Sequence, residues 1–355
     1  APPPSGPRSR VFPRPGTRAA CLAPRPRAPC RPRMIRSFVF SEGKLVASDL
    51  EAEAMRLVRA DKGLHLWVDL EDPTDDERKL ILESVFQFHP LAIEDCVTPS
   101  SLPKIEDYED YLFIVTHAID PSQSERFSTT ELELFLGKEY LVTYHRRPLR
   151  SIQWLVDRCT KGAGVIARGT DRLAHDIIDQ LIERYTPVLD GLRSKIELIE
   201  ARVLKEHAES LTSDLLEVRS ELADLRQIVR PQRDVINRLA HGDSKIVRAL
   251  MLPYFRDLRD SLIRQEETLT TLGDALLVSF DLYLNKSASQ ANEGIKILTA
   301  LTAITMPPIL FGTWYGMNFQ HMPEIASPYG YWISLGVMIV STIGMFIWCR
   351  RRRWI

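Results

Sequence analysis

The order of apolar and polar residues changes character along the chain. From Met34 to about Arg150, short β-branched and aromatic runs alternate with helical stretches such as Asp75 to Phe86, a pattern typical of an α/β domain. The predicted strands are Ser37 to Phe40, His65 to Leu70, Tyr111 to Thr116, Glu131 to Phe135 and Tyr140 to Tyr144. We therefore predict an α/β domain over residues 34–170.

Strand patterns disappear after about Asp171, and helical periods replace them. Apolar residues recur about every 3.6 to 3.7 positions along two charged stretches, as on one face of an α-helix. One stretch runs from Ile177 to Val203 and the other from Leu211 to Val229. We predict a hairpin of two long, highly charged helices over residues 171–248.

A third apolar stripe, from Phe255 to Leu276, leads into a segment without charge. Between Lys296 and Glu324 there is no Asp, Glu, Lys or Arg, and the apolar run suffices for the roughly 20 helical residues that cross a bilayer core. We expect a stalk helix over residues 249–317 that continues into this first span. A second charge-free segment predicts a second span over residues 329–349, with an outer loop at 318–328 between the two.

Charge at the end of the second span predicts the orientation. Four consecutive arginines, residues 350–353, begin a basic tail over 350–355, and basic residues beside a span favour the cytoplasmic side. Both termini and the α/β domain are then cytoplasmic. The alternative is a buried soluble hairpin, which would need two charge-free helices to end abruptly in arginines. Pro307 and Pro308 are compatible with a span, because neighbouring helices and Ser or Thr side chains satisfy the freed carbonyls.

The net charge of -1 conceals two parts of opposite character. Residues 1–33 hold eight arginines, ten prolines and no acid; without them, 38 basic residues face 47 acidic ones, a net charge of -9. The acidic character of the chain without residues 1–33 argues against nucleic acid as a partner and favours a cation as the ligand. We interpret 1–33 as a disordered Pro/Arg-rich extension, since its prolines prevent the amphipathic helix of a transit peptide. We expect the native start at Met34.

Several classes of chemistry lack their motifs. The sequence has no GxxxxGK[ST] loop and no HExxH, so ATP-driven pumping and zinc hydrolysis are unsupported and we expect no enzyme. The five cysteines are scattered and form no CxxC, which favours a reducing compartment. The acidic run from Glu71 to Glu77 could be a metal site, but acids also favour the first turn of a helix, here with Thr74 as its cap. We prefer the cap.

Two spans per chain cannot enclose a pore, so conduction would require several copies around one axis. One face of the first span carries polar groups at spacings of three and four. Its residues are Asn292, Ile295, Thr299, Thr302, Met306, Ile309 and Thr313. Packing between helices is an equal alternative, because Thr and small residues also line helix contacts in membranes.

The end of the first span carries a family signature. Residues 315–318 are YGMN, and the MPE sequence at 322–324, a second span and a basic tail follow. This combination strongly resembles the CorA family of divalent metal ion transporters, in which a GMN tripeptide ends the first of two spans. The resemblance covers 34–355. Further segments are similar in family order: HPLAIED at 89–95, PKIE at 103–106, PYFRD at 253–257 and NEGIKIL at 292–298.

The resemblance implies a homopentameric, funnel-shaped magnesium channel of the bacterial plasma (inner) membrane, with a cytoplasmic α/β/α sandwich. Passive influx would follow the membrane potential and stop at high intracellular Mg²⁺. The implied selectivity ring is Gly316, Met317 and Asn318, preceded by Tyr315. The implied pore and gate positions are Asn292, Leu298 and Met306, with Asp281 at the inner mouth, Thr299 on the same polar face and Glu324 in the outer loop.

Two acids match family positions at which neighbouring subunits share a regulatory Mg²⁺. They are Asp95 in HPLAIED and Asp257 in PYFRD. The alternative is that each is a solvated surface acid or the partner of an arginine such as Arg256 or Arg259. Mg²⁺ is thus the implied cargo and the implied regulator.

The hydration of Mg²⁺ also indicates which atoms should form the selectivity ring. Because Mg²⁺ dehydrates reluctantly, a fast pore should bind the hydrated ion through amide and carbonyl oxygens.

Cobalt and nickel cannot be separated from magnesium by sequence. A zinc transporter of the related branch is an alternative, although that branch usually varies the tripeptide and Met317 argues against it. A membrane-tethered coiled-coil scaffold is the alternative from another class.

Overall fold

Seven strands form one mixed sheet in the computed structural model, which describes residues 35–61, 63–98, 102–120, 127–161, 169–205, 211–317, 328–352 and 354. The strands are β1 (Ile35–Ser41), β2 (Lys44–Ser48), β3 (His65–Glu71), β4 (Lys104–Asp107), β5 (Tyr111–Asp120), β6 (Ser128–Gly137) and β7 (Tyr140–His145). Their order is β2-β1-β3-β7-β6-β5-β4, and β3 and β7 are the parallel neighbours. The five predicted strands are confirmed. The predicted extension at 1–33 lies outside the described residues.

Strands β2 and β4 were not predicted, and both are edge strands. All five residues of β2 are exposed, so its apolar and polar positions do not alternate as in a half-buried strand. The β1–β2 hairpin turns at Glu42 and Gly43, which both have positive φ (49° and 79°), as two-residue hairpin loops require. Strand β4 has only four residues, KIED.

The helices follow the predicted order with one division. They are α1 (Ala52–Ala60), α2 (Asp75–Arg78), α3 (Pro90–Val97), α4 (Arg150–Thr160), α5 (Thr170–Glu183), α6 (Tyr185–Lys205), α7 (Leu211–His241), α8 (Leu252–Tyr315) and α9 (Gly330–Arg351). A π-helix (Lys79–Val85) continues α2, and a 3-10 turn (Ala249–Met251) precedes α8. The predicted cap is confirmed: the Thr74 hydroxyl accepts from the Glu77 N–H, and the Glu77 carboxylate accepts from the Thr74 N–H.

Helices cover both faces of the sheet. Strand β6 shows why, because its side chains point alternately to the two sides. Leu132, Leu134 and Leu136 belong to a core shared with α4 to α8, whereas Phe135 belongs to a core shared with α1, the π-helix and α3. The α/β part is therefore a layered α/β/α arrangement.

The predicted hairpin of two long helices is corrected by the structure, because its first helix is divided at Arg184 into α5 and α6. Pro187 explains the division: it has no N–H to donate to the Glu183 carbonyl, and its ring clashes with that carbonyl in a continuous helix. Helix α5 packs on the sheet. The charged hairpin consists of α6 and α7, which pack against each other through apolar residues and are also bridged by ion pairs. These pairs are Lys195–Glu221 (2.7 Å) and Arg202–Asp214 (2.5 Å).

Helix α8 is unbroken over 64 residues, about 96 Å at 1.5 Å per residue, as predicted. It continues through Pro307 and Pro308. Its C-terminal part and α9 are the two helices of the described chain that are long and apolar enough to cross a membrane. Helix α9 extends into the predicted basic tail, because Arg350 and Arg351 form its last turn.

Candidate ion pathway and regulatory site

The predicted pore positions lie along one side of α8. Asp281, Asn292, Thr299 and Met306 are 11, 7 and 7 residues apart, close to whole numbers of helical turns. All four are exposed in the single chain. Leu298, 65% exposed, precedes Thr299 and so lies about 100° around the helix from that line.

Threonine hydroxyls in the first span are satisfied within α8. Thr299 Oγ1 donates to the Ile295 carbonyl (2.8 Å), and Thr302 Oγ1 donates to the Leu298 carbonyl (2.9 Å). Thr313 makes the same bond to Ile309. Each hydroxyl uses its proton in this hydrogen bond, so its oxygen can still accept a hydrogen bond but has no further proton to donate.

The YGMN segment begins where α8 ends. The helix ends at Tyr315, and Gly316 is its C-cap, with its N–H donating to the Gly312 carbonyl at 3.1 Å. A Cβ at Gly316 would lie 2.9 Å from that carbonyl oxygen, so the close approach requires glycine. Met317 is exposed. The predicted site residues Asn318 and Glu324 lie outside the described residues.

Asp95 already has a cationic partner within its own chain. It lies on α3, about one-third exposed, and the Lys104 ammonium of β4 contacts its carboxylate at 2.6 Å and that of Glu106 at 2.9 Å. Burial alone would lower the pKa of Lys104, but hydrogen bonds to both carboxylates raise it above its ordinary value. The alternative of a paired surface acid therefore holds for Asp95 in the single chain, with a lysine as the partner.

Asp257 lies among other acids. It is exposed on α8, whereas the neighbouring Arg259 donates to Asp260. Burial raises the pKa of Asp179 on α5, and the charges of nearby acids, Asp257 among them, raise it further. Asp257 therefore lies close enough to Asp179 for their negative charges to repel each other.

A cluster that the sequence did not predict, with Asp69 and His145 buried and Glu71 partly exposed, lies at the ends of β3 and β7. Potential ligand atoms of Asp69, Glu71 and His145 lie within 4.8 Å of one another. Arg36 donates to Asp69 at 2.7 Å and to Glu71 at 2.9 Å, so a guanidinium already bridges the two acids. The parallel register places Glu71 opposite His145. We interpret the cluster as an ion-pair network rather than a metal site.

A soluble α/β part, a long helix and two C-terminal apolar helices define a class of membrane transporter. A family model described as CorA-like Mg²⁺ transporter protein matches residues 63–351. The chain therefore belongs to this family, which comprises transporters and no known enzymes. The resemblance stated from the YGMN signature is confirmed.

Individual relatives agree with the family assignment. A Bacillus subtilis protein named as a metal ion transporter, YfjQ, is 32% identical over 289 residues, covering 81% of this chain and 89% of the relative. The cobalt/magnesium transport protein CorA of Thermotoga maritima is 27% identical over 300 residues, covering 83% and 85%. The complete structure of the CorA magnesium transporter from Methanocaldococcus jannaschii has the same fold, with a TM-score of 0.78, 21% identity and coverage of 92% and 100%.

Proposed function

We propose that this chain is a magnesium channel, also open to cobalt and nickel, in which five copies surround one pore in the bacterial plasma membrane. The observation that carries the proposal is α8. One unbroken helix connects Asp257, beside the α/β part, with the YGMN end of the first span, and it exposes a line of polar positions. A change at the cytoplasmic end of such a helix can reach the pore directly.

The oligomer follows from what a single chain leaves exposed. Within the described part of the two spans, Ala300 and Cys349 are the buried residues, and α9 packs against α8. Two helices cannot enclose water, so several copies must supply equivalent faces. The number five rests on the resemblance to the CorA family.

Selectivity in this proposal comes from oxygen atoms and not from carboxylate charge. Copies of Asn318 would present amide oxygens to hydrated Mg²⁺, together with the carbonyls of Gly316 and Met317. Neutral oxygens bind weakly enough to release the ion. Inward movement of a divalent ion gains about 4.6 kcal/mol per 100 mV. Leu298 and Met306 would close the path by dewetting.

The regulatory Mg²⁺ would be held by Asp95 of one copy and Asp257 of the next. Carboxylate oxygens are ligands that Mg²⁺ prefers, and both side chains are at least partly exposed. A bound ion would supply an electrostatic link between copies and so stabilise one of two states of the ring. Lys104 competes with that ion for Asp95.

Metal flux into proteoliposomes made from the pure protein tests the function. Asn318→Ala should abolish Mg²⁺ uptake while the oligomer assembles normally, because the methyl side chain offers no oxygen to the hydrated ion. Phe319→Leu, one residue further on, is the matched control and should transport. Wild-type uptake by correctly assembled Asn318→Ala would contradict the ring. Parallel assays with Co²⁺, Ni²⁺ and Zn²⁺ identify the cargo, and flux of Zn²⁺ alone would favour the zinc transporter.

A further inference from the structure

A basic cavity lies in the α/β part. It has a volume of about 320 Å³ and is bounded by the end of β5, the start of β6, the start of α4 and the α5–α6 junction. Every charged residue among those described around it is an arginine. The polar lining comprises Arg147, Arg150, Arg184, Ser128, Thr130 and Ser151. Three guanidiniums around one cavity are notable in a body whose net charge is -9.

Two donors at this cavity are buried without an acceptor among the described residues. Ser151 is 1% exposed, and its hydroxyl has no hydrogen-bond partner. The Nε of Arg184 is likewise buried and unpaired. Buried polar atoms are nearly always paired, and an unpaired one destabilises the fold. A ligand that brings acceptor oxygens into the cavity would satisfy both groups.

The start of α4 adds further donors. The residue at its N-cap is Leu149, whose side chain has no acceptor, and its first turn contains no acid. The first N–H groups of a helix have no partner within the helix, and together with the macrodipole they favour an anion. Helix α4 has 11 residues, enough to present a complete first turn. The unpaired Ser151 hydroxyl belongs to this turn, so the two kinds of donor converge.

We propose that this cavity binds a soluble phosphate-bearing anion. Guanidinium groups match phosphate oxygens with paired hydrogen bonds, and a tetrahedral phosphate has enough oxygens for several arginines and a hydroxyl at once. A planar carboxylate has two oxygens and would leave donors unpaired. The volume lies near the lower end of small-molecule sites and leaves room for a small organic group against the apolar wall of Ile119 and Leu149.

The position of the cavity favours a soluble anion over a lipid headgroup. Arg184 lies two residues after Ile182, whose carbonyl accepts a hydrogen bond from the side chain of Gln265 on α8 at 3.0 Å. The cavity therefore lies beside α8 at about the level of Gln265. From Gln265 to Lys296, the last charge before the first span, α8 continues for 31 residues, about 46 Å. A headgroup in the bilayer does not reach so far.

Calorimetric titration of the full-length protein in detergent and magnesium-free buffer tests the proposal, with inorganic phosphate and adenosine monophosphate as probes. We expect saturable binding of at least one probe. Ser151→Ala and Arg184→Gln should each weaken it about tenfold, since each removes a donor to a charged acceptor. Arg230→Gln, at an exposed arginine of α7, is the matched control and should bind as the wild type does.

Ser151→Ala keeps the test decisive, because it removes a buried hydroxyl that has no partner and should therefore not lower the melting temperature of the ligand-free protein. Absence of saturable binding by both probes would overturn the proposal, as would equal affinities of wild type, Ser151→Ala and Arg184→Gln. Detergent micelles doped with phosphatidylglycerol form the second arm. Displacement of phosphate by that lipid would overturn the assignment to a soluble anion. No step measures transport, so failure here leaves the proposed channel untouched.

Discussion

At the scale of single residues, Asp69 shows how a buried charge of the α/β part is stabilised. It is fully buried and accepts from Arg36 (2.7 Å), Thr143 (2.6 Å) and His145 (3.1 Å). Burial alone would raise the pKa of Asp69, but the His145 hydrogen bond and the nearby positive charges hold it below its ordinary value. Burial would lower the pKa of His145, and Asp69 raises it above 6.5 instead.

These shifts give the pair a defined pH window. The contribution of a raised His145 pKa is complete below about pH 6.5 and is lost as pH rises through that pKa, whereas the contribution of Asp69 is lost in acid. His145→Gln should therefore lower the melting temperature more at pH 6 than at pH 9. Thermal melts of the full chain at both values measure this, with the exposed His241→Gln as control. A larger effect at pH 9 would contradict the assignment.

Glu133 shows the opposite shift. Burial and the charge of Glu131 raise its pKa from 4.5 to about 8, and its Oε2 has no partner among the described residues. The folded state therefore retains a proton that the unfolded state releases above pH 4.5, so stability is lost as pH rises from about 4.5 to 8. Glu133→Gln should stabilise the protein, by an amount that grows over this interval and then levels off.

Melting temperatures of the full chain at pH 5, 7 and 9 measure that gain. Glu83→Gln, at an exposed position of the π-helix, is the matched control and should change little. A gain that is the same at pH 5 and pH 9 would mean that ionisation of Glu133 is not its source.

At the scale of elements, the start of α5 is clamped to the segment before α8. Arg248 donates to the buried Asp171 through its side chain, at 2.5 Å, and through its backbone N–H, at 3.1 Å. Gly169, just before α5, has φ +139°, and a Cβ there would meet the Arg248 guanidinium at 2.1 Å. Position 169 needs glycine because its φ is positive and because any side chain there would displace the Arg248 guanidinium from Asp171.

Gly169→Ala should therefore destabilise the protein by about 1–3 kcal/mol through backbone strain alone, and by more where Arg248 is displaced. Gly191→Ala is the control: this glycine lies exposed within α6, and nothing lies within 4 Å of an added Cβ. It should stabilise by about 0.5–1 kcal/mol. Denaturant unfolding of both variants measures the difference. Equal effects would show that the conformation at Gly169 adapts freely.

The same elements show which features the sequence could predict. Apolar alternation and helical periods depend on neighbours in the chain, so the five central strands and the unbroken α8 follow from them. The exposed β2 buries nothing and left no pattern. Pro187 could have indicated the division between α5 and α6, but an uninterrupted apolar stripe concealed it. Within the candidate sites, the Asp95–Lys104 pair and the arginine cavity required the fold, because their parts come from different elements.

At the scale of the whole molecule, the regulatory proposal depends on competition for one carboxylate. Asp95 is bound to Lys104 within its own chain, and in the proposed closed ring it binds Mg²⁺ shared with Asp257 of a neighbour. The competing pair is about one-third exposed on both sides, so it is worth about 1 kcal/mol. That corresponds to about a fivefold change in the Mg²⁺ concentration needed for closure.

Two substitutions should consequently act in opposite directions. Lys104→Gln releases Asp95. The internal Mg²⁺ concentration that inhibits flux and protects the α8 stalk from proteolysis should therefore fall about fivefold. Asp95→Asn removes the ligand charge and should raise the Mg²⁺ requirement for both. Lys161→Gln, at an exposed lysine paired with Asp157, is the charge-matched control for Lys104→Gln. Adding EDTA should abolish protection in all of them. An ammonium and a divalent cation that compete for one carboxylate require these two substitutions to shift the Mg²⁺ concentration needed for closure in opposite directions. If both shift it in the same direction, or leave it unchanged, Asp95 does not hold the regulatory ion.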